Sequence, residues 1–170
     1  NIIKVYSVEN SDVRLPFALW SDLLDEFPNT QQFDHIYPEF VGVPTDKQRE
    51  VLELALQKLK ETGRVFLALG TGYGKTFCSL YLACKLGYKV VVLCHSSTLH
   101  KQWVNEIEKY CKGVSVQIVK DKLKDYADIY IMGIRKATNI SRDTFNRIGV
   151  VIVDETHLTY TDTFAKALLQ

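Results

Sequence analysis

Residues 69–76 have the sequence Leu-Gly-Thr-Gly-Tyr-Gly-Lys-Thr, and this glycine-rich stretch is the strongest indication of the fold. An apolar run at 65–69 precedes it, and a helical pattern at 75–86 follows it. A glycine-rich loop between a strand and a helix is typical of phosphate binding, because its backbone N–H groups can face phosphate oxygens beside the positive end of the helix. Lys75 can reach the β- and γ-phosphates, and the Thr76 hydroxyl can bind Mg²⁺. The residues predicted to hold the nucleotide are Thr71, Gly72, Tyr73, Gly74, Lys75 and Thr76.

Strand and helix patterns alternate on both sides of this loop. Apolar runs predict strands at 65–69, 89–94, 114–119, 128–132 and 149–153, and apolar residues at helical spacing predict helices at 45–63, 75–86 and 98–110. Thr45 and Gln48 have the capping-box spacing that begins a helix. Because the strands are apolar on both faces, we expect an α/β fold of three layers, a doubly wound parallel sheet covered on both sides. Ligands of such sheets lie at the carboxyl ends of the strands.

The first part of the chain differs from the rest in charge and pattern. Residues 1–44 carry two basic and seven acidic side chains, a net −5, whereas residues 45–170 carry 19 and 13, a net +6. Weak alternation at 2–8 and again at 13–16 favours two short strands, and Ser21 can cap a helix that ends near Phe27. Residues 28–44 contain three prolines and are expected to be connecting chain. We therefore predict an accessory segment over 1–44 and a nucleotide-binding lobe over 45–170.

A second motif follows the last predicted strand. The apolar residues 151–153 end in two adjacent carboxylates, Asp154 and Glu155. Asp154 at the strand tip can hold Mg²⁺, and Glu155 can orient and deprotonate an attacking water. An enzyme that transfers phosphate to a bound acceptor needs no such glutamate, so the pair favours hydrolysis. Lys75, Asp154 and Glu155 are the predicted catalytic residues.

Composition excludes several classes of protein. With 46% apolar and 24% charged residues, the chain is neither disordered, collagen-like nor a coiled-coil rod. Its apolar runs are too short to cross a bilayer, and no signal peptide is evident, so we expect no membrane partner. Cysteines at 78, 84, 94 and 111 match no zinc framework and favour a reducing intracellular setting. Because the sequence starts at Asn1 and stops in mid-pattern, we expect a piece of a longer protein.

Together the two motifs resemble those of superfamily 2 helicases and translocases, in the DExH branch. Residues 91–103 resemble the motif that follows the second strand in that superfamily, and Gln48 resembles the glutamine that reads adenine. The Leu-x-x-Gln-Trp ending of that motif and the stretch 131–137 are most similar to the XPB-like group. This group includes helicases of large DNA viruses such as poxviruses and African swine fever virus. The resemblance covers residues 44–163 and implies ATP and Mg²⁺ as cofactors, with His157 relaying the nucleotide state.

Candidate nucleic-acid contacts cluster after two other strands. Ser96, Ser97 and Thr98 lie at a predicted helix N-terminus, where hydroxyls and free N–H groups suit a backbone phosphate or simply cap the helix. Arg135 and Lys136, just past the fourth strand, can add positive charge to the same track or form a solvated basic pair. Trp103 lies four residues from both Leu99 and Ile107, so we expect it in the core rather than stacked on a base.

These observations predict the first RecA-like lobe of an ATP-dependent helicase or translocase. The expected partners are a nucleic acid, with DNA favoured over RNA, and a second RecA-like lobe of the same protein. The chain itself is expected to be a monomer and nearly inactive alone, and a viral protein of this kind would act in the host cytoplasm or the virion. Two alternatives stay open: the motor subunit of a restriction-type enzyme, and a P-loop phosphotransferase such as a nucleotide kinase.

Overall fold

The computed structural model describes residues 33–120, 122–124, 126–140 and 145–154, together with the backbone of 7–9 and 12–14. Near the N-terminus, β1 (Ser7–Glu9) and β2 (Asp12–Arg14) form an antiparallel pair in which Val8 lies opposite Val13. This pair confirms that two short strands meet here, and the rest of their predicted ranges lies outside the described residues. The helix predicted from Ser21 to Phe27 lies outside the described residues.

Four of the other elements form a parallel sheet. In chain order the structure has β3 (Glu39–Phe40), α1 (Asp46–Thr62), α2 (Lys75–Leu86), β4 (Val90–Cys94), α3 (Ser97–Tyr110), β5 (Cys111–Lys112), β6 (Val116–Ile118), β7 (Ile129–Gly133), α4 (Ile134–Ala137) and β8 (Val150–Val153). The sheet order is β6-β7-β4-β8, and Val90 of β4 lies opposite Ile129 on one side and Val150 on the other. The parallel α/β sheet and four of its predicted strands are confirmed.

The central strand β4 is buried along its whole length. Because successive strand residues point to opposite faces, β4 contributes to two cores. Val90, Val92 and Cys94 pack in the cluster that contains Leu80 of α2 and Trp103 of α3. Alternate β4 residues pack on the opposite face, in a cluster that also draws on β7 and α4. Both faces of the sheet are therefore covered, as the apolar strands predict.

Helix α1 begins at the predicted capping box. The Thr45 hydroxyl accepts a hydrogen bond from the Gln48 backbone N–H (3.3 Å), and the Gln48 side-chain oxygen accepts one from the Thr45 N–H (3.0 Å). The helix ends at Gly63, as predicted. Its buried residues Leu52 and Ala55 pack against the buried side chains of α2, so α1 lies against the helix that follows the phosphate loop.

The strand predicted at 65–69 is not formed among the described residues. The segment alternates between half-buried and exposed positions, and Phe66 is 70% exposed. Val65, Leu67 and Leu69 pack on the cluster between α1 and α2. The Leu69 N–H donates to the Leu67 carbonyl (3.0 Å), a turn within the segment rather than a ladder bond. Alternate apolar side chains of this segment therefore pack onto helices, and its backbone does not pair with a described strand.

Residues 33–44, predicted as connecting chain, are packed against the lobe. Strand β3 pairs with β5, so that Phe40 lies opposite Cys111, and the Phe40 ring contacts the rings of Phe77, Tyr81 and Tyr110. At the other end, the Asp34 carboxylate binds cationic side chains near the starts of β4 and β8. None of the described helices is long and apolar enough to cross a membrane.

Candidate functional site

The phosphate loop turns sharply at two glycines. Gly72 has φ 79° and Gly74 has φ 88°, both in the left-handed region that favours glycine. Between them, the Tyr73 N–H donates to the Gly70 carbonyl (3.2 Å). Gly74 is also the N-cap of α2 and supplies no side-chain hydrogen bond. The N–H groups of the first turn of α2 therefore have no side-chain cap, which is the arrangement that anion binding at a helix N-terminus requires.

A clamp of two hydrogen bonds ties this loop to the first turn of α1. The Gln48 side-chain amide donates from Nε2 to the Tyr73 carbonyl (2.9 Å). In return the Tyr73 hydroxyl donates to the Lys47 carbonyl (2.8 Å). Gln48 was predicted as the adenine reader, and here its oxygen caps α1 while its nitrogen holds the loop. The adenine contact stays a prediction, whereas the clamp is a role that spacing alone did not reveal.

Lys75 and Thr76 occupy the first turn of α2. Lys75 is exposed, and Thr76 is half-buried. Helix α2 packs against α1 and α3 and approaches β8, the strand that leads to Asp154. The helix that the loop opens and the strand that leads to Asp154 thus belong to one packed unit.

Asp154 extends the edge of the sheet beyond β8. Its N–H donates to the Leu93 carbonyl of β4 (3.0 Å), which continues the strand pairing by one residue. Its side-chain Oδ2 accepts a hydrogen bond from the indole Nε1 of Trp103 (2.9 Å). Burial, followed by the nearby Asp154 carboxylate, raises the pKa of the Cys94 thiol to about 12, so this thiol stays protonated at neutral pH.

The predicted Mg²⁺ ligands agree with what this cation requires. Mg²⁺ takes oxygen ligands, keeps several waters, and is usually held by one or two carboxylates together with substrate phosphates. Asp154 uses one carboxylate oxygen for Trp103 and has a second oxygen, and the half-buried Thr76 can supply a hydroxyl. No group of three or more His, Cys, Asp or Glu that could hold a metal occurs among the described residues. Thr76 and Asp154 as Mg²⁺ ligands therefore stay a prediction.

The predicted nucleic-acid contacts follow two adjacent parallel strands. Ser96 follows β4 and caps α3, and its hydroxyl accepts a hydrogen bond from the Leu99 N–H (3.4 Å). Ser97 and Thr98 occupy the first turn of α3, and all three residues are exposed. Exposed Arg135 and half-buried Lys136 lie in α4, directly after β7. Because Cys94 and Gly133 are register partners at the ends of β4 and β7, these groups share the carboxyl edge of the sheet with Asp154.

Two side chains of α3 are notable. Trp103 is 2% exposed, which confirms the predicted core position, but its bond to Asp154 joins residues 51 positions apart and was not predicted. His100, also on α3, has a buried Nε2 without a hydrogen-bond partner among the described residues, and burial lowers the pKa of its ring.

Glu155 and His157, the predicted general base and relay, lie outside the described residues.

Comparison with known proteins agrees with the sequence motifs. Relatives occur in large DNA viruses: the 161L protein of Invertebrate iridescent virus 6, named as a helicase, is 29% identical over 94% of this chain and 38% of its own length. The L396 protein of Acanthamoeba polyphaga mimivirus, named as an ATP-dependent RNA helicase, is 25% identical over 88% of this chain and 30% of its own length. The chain thus spans well under half the length of both relatives.

A solved structure shares the fold. It is the SWI2/SNF2 ATPase core of Sulfolobus solfataricus in complex with double-stranded DNA, with a TM-score of 0.64 and 19% identity over 80% of this chain and 31% of that one. The family described as "Type III restriction enzyme, res subunit" matches residues 42–170, which include both motifs. The chain therefore belongs to this family, within superfamily 2 of the helicases and translocases, and has relatives among the large DNA viruses.

Proposed function

We propose that this chain is the first motor lobe of an ATP-dependent helicase or translocase, which binds ATP with Mg²⁺ and one strand of nucleic acid. The observation that carries the proposal is the placement of three groups at one edge of a parallel sheet. Asp154 follows β8, the exposed first turn of α3 follows β4, and the Arg135–Lys136 pair follows β7. To couple ATP hydrolysis to movement along a nucleic acid, a motor needs its nucleotide site and its strand-binding residues close together. Their placement on one edge of the sheet meets this requirement.

In this proposal the residues of the first motif hold the triphosphate. The loop N–H groups and the first turn of α2 face the phosphates, and Lys75 neutralises charge on the β- and γ-phosphates. Thr76 and Asp154 hold Mg²⁺, which when bound neutralises charge that develops on the phosphates during transfer. Glu155 orients the attacking water and accepts its proton. His157 relays the state of the nucleotide.

The same edge supports the proposed nucleic-acid contacts. Ser96, Ser97 and Thr98 present hydroxyls at the N-terminus of α3, and Arg135 adds an exposed charge from the neighbouring strand. Contacts of this kind bind the phosphate backbone and carry no sequence information. DNA remains our favoured substrate. The SWI2/SNF2 neighbour is bound to double-stranded DNA, whereas the mimivirus relative carries an RNA helicase name, so the two polymers need direct comparison.

The proposed site is completed by a second RecA-like lobe of the same protein, which would close the cleft and supply an arginine finger. The coverage of the relatives supports this, since the matched region of 161L is 38% of its length. We further propose a reducing intracellular setting, in a host cell if the protein is viral. All four cysteines are free thiols, including Cys84 and Cys111, whose sulfurs lie 3.5 Å apart.

The test is the ATPase rate of the intact protein with and without single-stranded DNA or RNA of the same sequence. We expect low basal turnover, stimulation by nucleic acid and loss of both in Lys75→Ala. Transfer of phosphate to an acceptor nucleoside, without nucleic-acid stimulation, would replace the proposal by a phosphotransferase. The family description favours a second candidate, the motor subunit of a restriction-type enzyme. Cleavage of double-stranded DNA by the intact protein, dependent on ATP, would establish it.

A further inference from the structure

Helix α3 joins the two halves of the proposed site. Its first turn presents Ser97 and Thr98 at the surface, and the buried face of the same helix carries Trp103. Trp103 lies six positions after Ser97, a rise of about 9 Å along the helix. At that depth the indole N–H reaches out of the core and donates to Oδ2 of Asp154 (2.9 Å).

We propose that Trp103 is a positioning residue: its indole N–H holds the Asp154 carboxylate in the orientation that binds the Mg²⁺-nucleotide, and ties that carboxylate to α3. The inference rests on the proposed function, because it concerns the same nucleotide site. It adds a residue for which the motifs assign no chemistry.

The chemistry of the donor supports a positioning role. Tryptophan N–H is a donor without charge. It can therefore fix one oxygen of a carboxylate while the negative charge stays available for a cation. A lysine or arginine in its place would neutralise that charge, and no such ion pair to Asp154 is formed by the described residues. Trp103 also cannot move independently of the core, since its ring packs with β4 residues such as Val92 and Cys94.

The bond could instead do no more than satisfy a buried indole N–H. The two interpretations differ in what Mg²⁺ does. If Trp103 only packs, its replacement lowers the free energy of unfolding and leaves the Mg²⁺ dependence of nucleotide binding unchanged. If it positions Asp154, that dependence changes as well. Groups that orient metal ligands typically contribute about 10- to 100-fold to metal affinity.

The experiment measures ADP binding to the intact protein by calorimetry, with Mg²⁺ and with EDTA. In Trp103→Phe, which keeps an aromatic ring and loses the N–H, we expect the Mg²⁺-dependent gain in ADP affinity to fall about 10-fold or more. ADP affinity in EDTA should stay at the wild-type value. The matched control is Ile107→Val, which trims a fully buried side chain of the same helix and core without touching Asp154. In this control the Mg²⁺-dependent gain in ADP affinity should stay at the wild-type value.

Asp154→Asn tests whether the effect depends on the carboxylate. It should lose the Mg²⁺-dependent gain in ADP affinity, and if Asp154→Asn keeps that gain, Trp103 does not act through Asp154. An unchanged Mg²⁺ effect in Trp103→Phe, or equal losses in Trp103→Phe and Ile107→Val, would overturn the proposal. If the wild-type protein does not bind ADP with Mg²⁺ at all, the proposed function itself fails, and this inference with it.

Fluorescence keeps the proposal testable if Trp103→Phe does not fold. The 170-residue chain has two tryptophans, so Trp20→Phe leaves Trp103 as its sole tryptophan. Any further tryptophan of the intact protein would be replaced by phenylalanine as well. Because its N–H bonds to the carboxylate that would bind Mg²⁺, Trp103 emission should change with ADP and Mg²⁺. It should not change with ADP and EDTA, nor in Trp20→Phe combined with Asp154→Asn. Emission that responds equally in all three conditions would refute the positioning role.

Discussion

Replacing Gly74 by alanine tests the clamp between the phosphate loop and α1. Gly74 has φ 88°, where an L-residue costs about 1–2 kcal/mol. A Cβ at this position would also lie 2.9 Å from Nε2 of Gln48, the atom that donates to the Tyr73 carbonyl. The side chain of Gln48 must then shift, and the loss of a hydrogen bond of this kind costs about 0.5–1.5 kcal/mol more.

Gly72 provides the matched control. Its φ of 79° imposes a similar backbone strain, but a Cβ there would meet nothing within 4 Å. Gly72→Ala should therefore lower the free energy of unfolding by about 1–2 kcal/mol through strain alone. Gly74→Ala should lower it further, by about the value of the lost hydrogen bond.

The assay is urea unfolding of each variant, followed by calorimetric titration with ADP and Mg²⁺. Removing the clashing amide should reduce the difference between the glycine variants. Gly74→Ala combined with Gln48→Ala should therefore lose less than the two single changes predict separately, because the Cβ then meets no amide. Equal destabilisation by Gly72→Ala and Gly74→Ala, or strict additivity with Gln48→Ala, would refute the clamp.

Four other outcomes are expected. Lys75→Ala should abolish calorimetric binding of ADP with Mg²⁺ without unfolding the lobe, and unchanged affinity would contradict the phosphate contact. Glu155→Gln in the intact protein should keep ATP binding and lower turnover by ~10²–10⁴-fold, as removal of a general base does, so a wild-type rate would exclude Glu155 as the base. The 170-residue chain alone should bind nucleic acid weakly, lose that binding as salt rises, and show almost no ATPase activity. An ATPase rate that matches the intact protein would show that no second lobe is needed. Burial raises the pKa of Asp34, but hydrogen bonds and charges from Lys89 and Arg147 outweigh burial, so the pKa lies below its ordinary value of 3.8. The stability that Asp34 provides is therefore fully present above pH 3.8, and it is lost as the pH falls through the lowered pKa. Asp34→Asn should flatten the acid side of a plot of unfolding free energy against pH, and an identical slope would show that these ion pairs contribute nothing.

Local signals predicted the elements that depend on local chemistry. Helix α1 begins and ends where a capping threonine and a terminal glycine place it, because both act through backbone groups a few residues away. Strand β4 is a run of five apolar residues that a covered parallel sheet requires, and it is buried at every position. The run at 65–69 is also apolar throughout, yet only its alternate residues Val65, Leu67 and Leu69 pack, and they pack on helices. Apolar composition indicates burial, and it cannot tell a paired strand from a segment that packs without pairing.

The contacts missed from the sequence are those between residues far apart along the chain. The Asp34 ion pairs fix residues expected to be connecting chain, and nothing in their local pattern reveals a partner at Arg147. Gln48 resembles an adenine reader in the sequence, and its hydrogen bond to Tyr73 forms only because α1 packs against α2. Periodicity predicts which face of an element a side chain lies on, but it does not predict the residue with which that side chain forms a hydrogen bond or an ion pair.

Trp103 is a residue whose polar partner follows from its burial. Its helical spacing places it in the core, and the structure confirms this. A buried indole N–H needs an acceptor, and in a parallel sheet the backbone carbonyls of the central strands are already used in ladders. The acceptors that remain are side chains just past the strand ends. Among these, Asp154 offers a carboxylate one residue beyond β8, beside the end of β4 from which α3 departs. The need to satisfy one buried donor thus connects a core tryptophan to the carboxylate of the proposed nucleotide site.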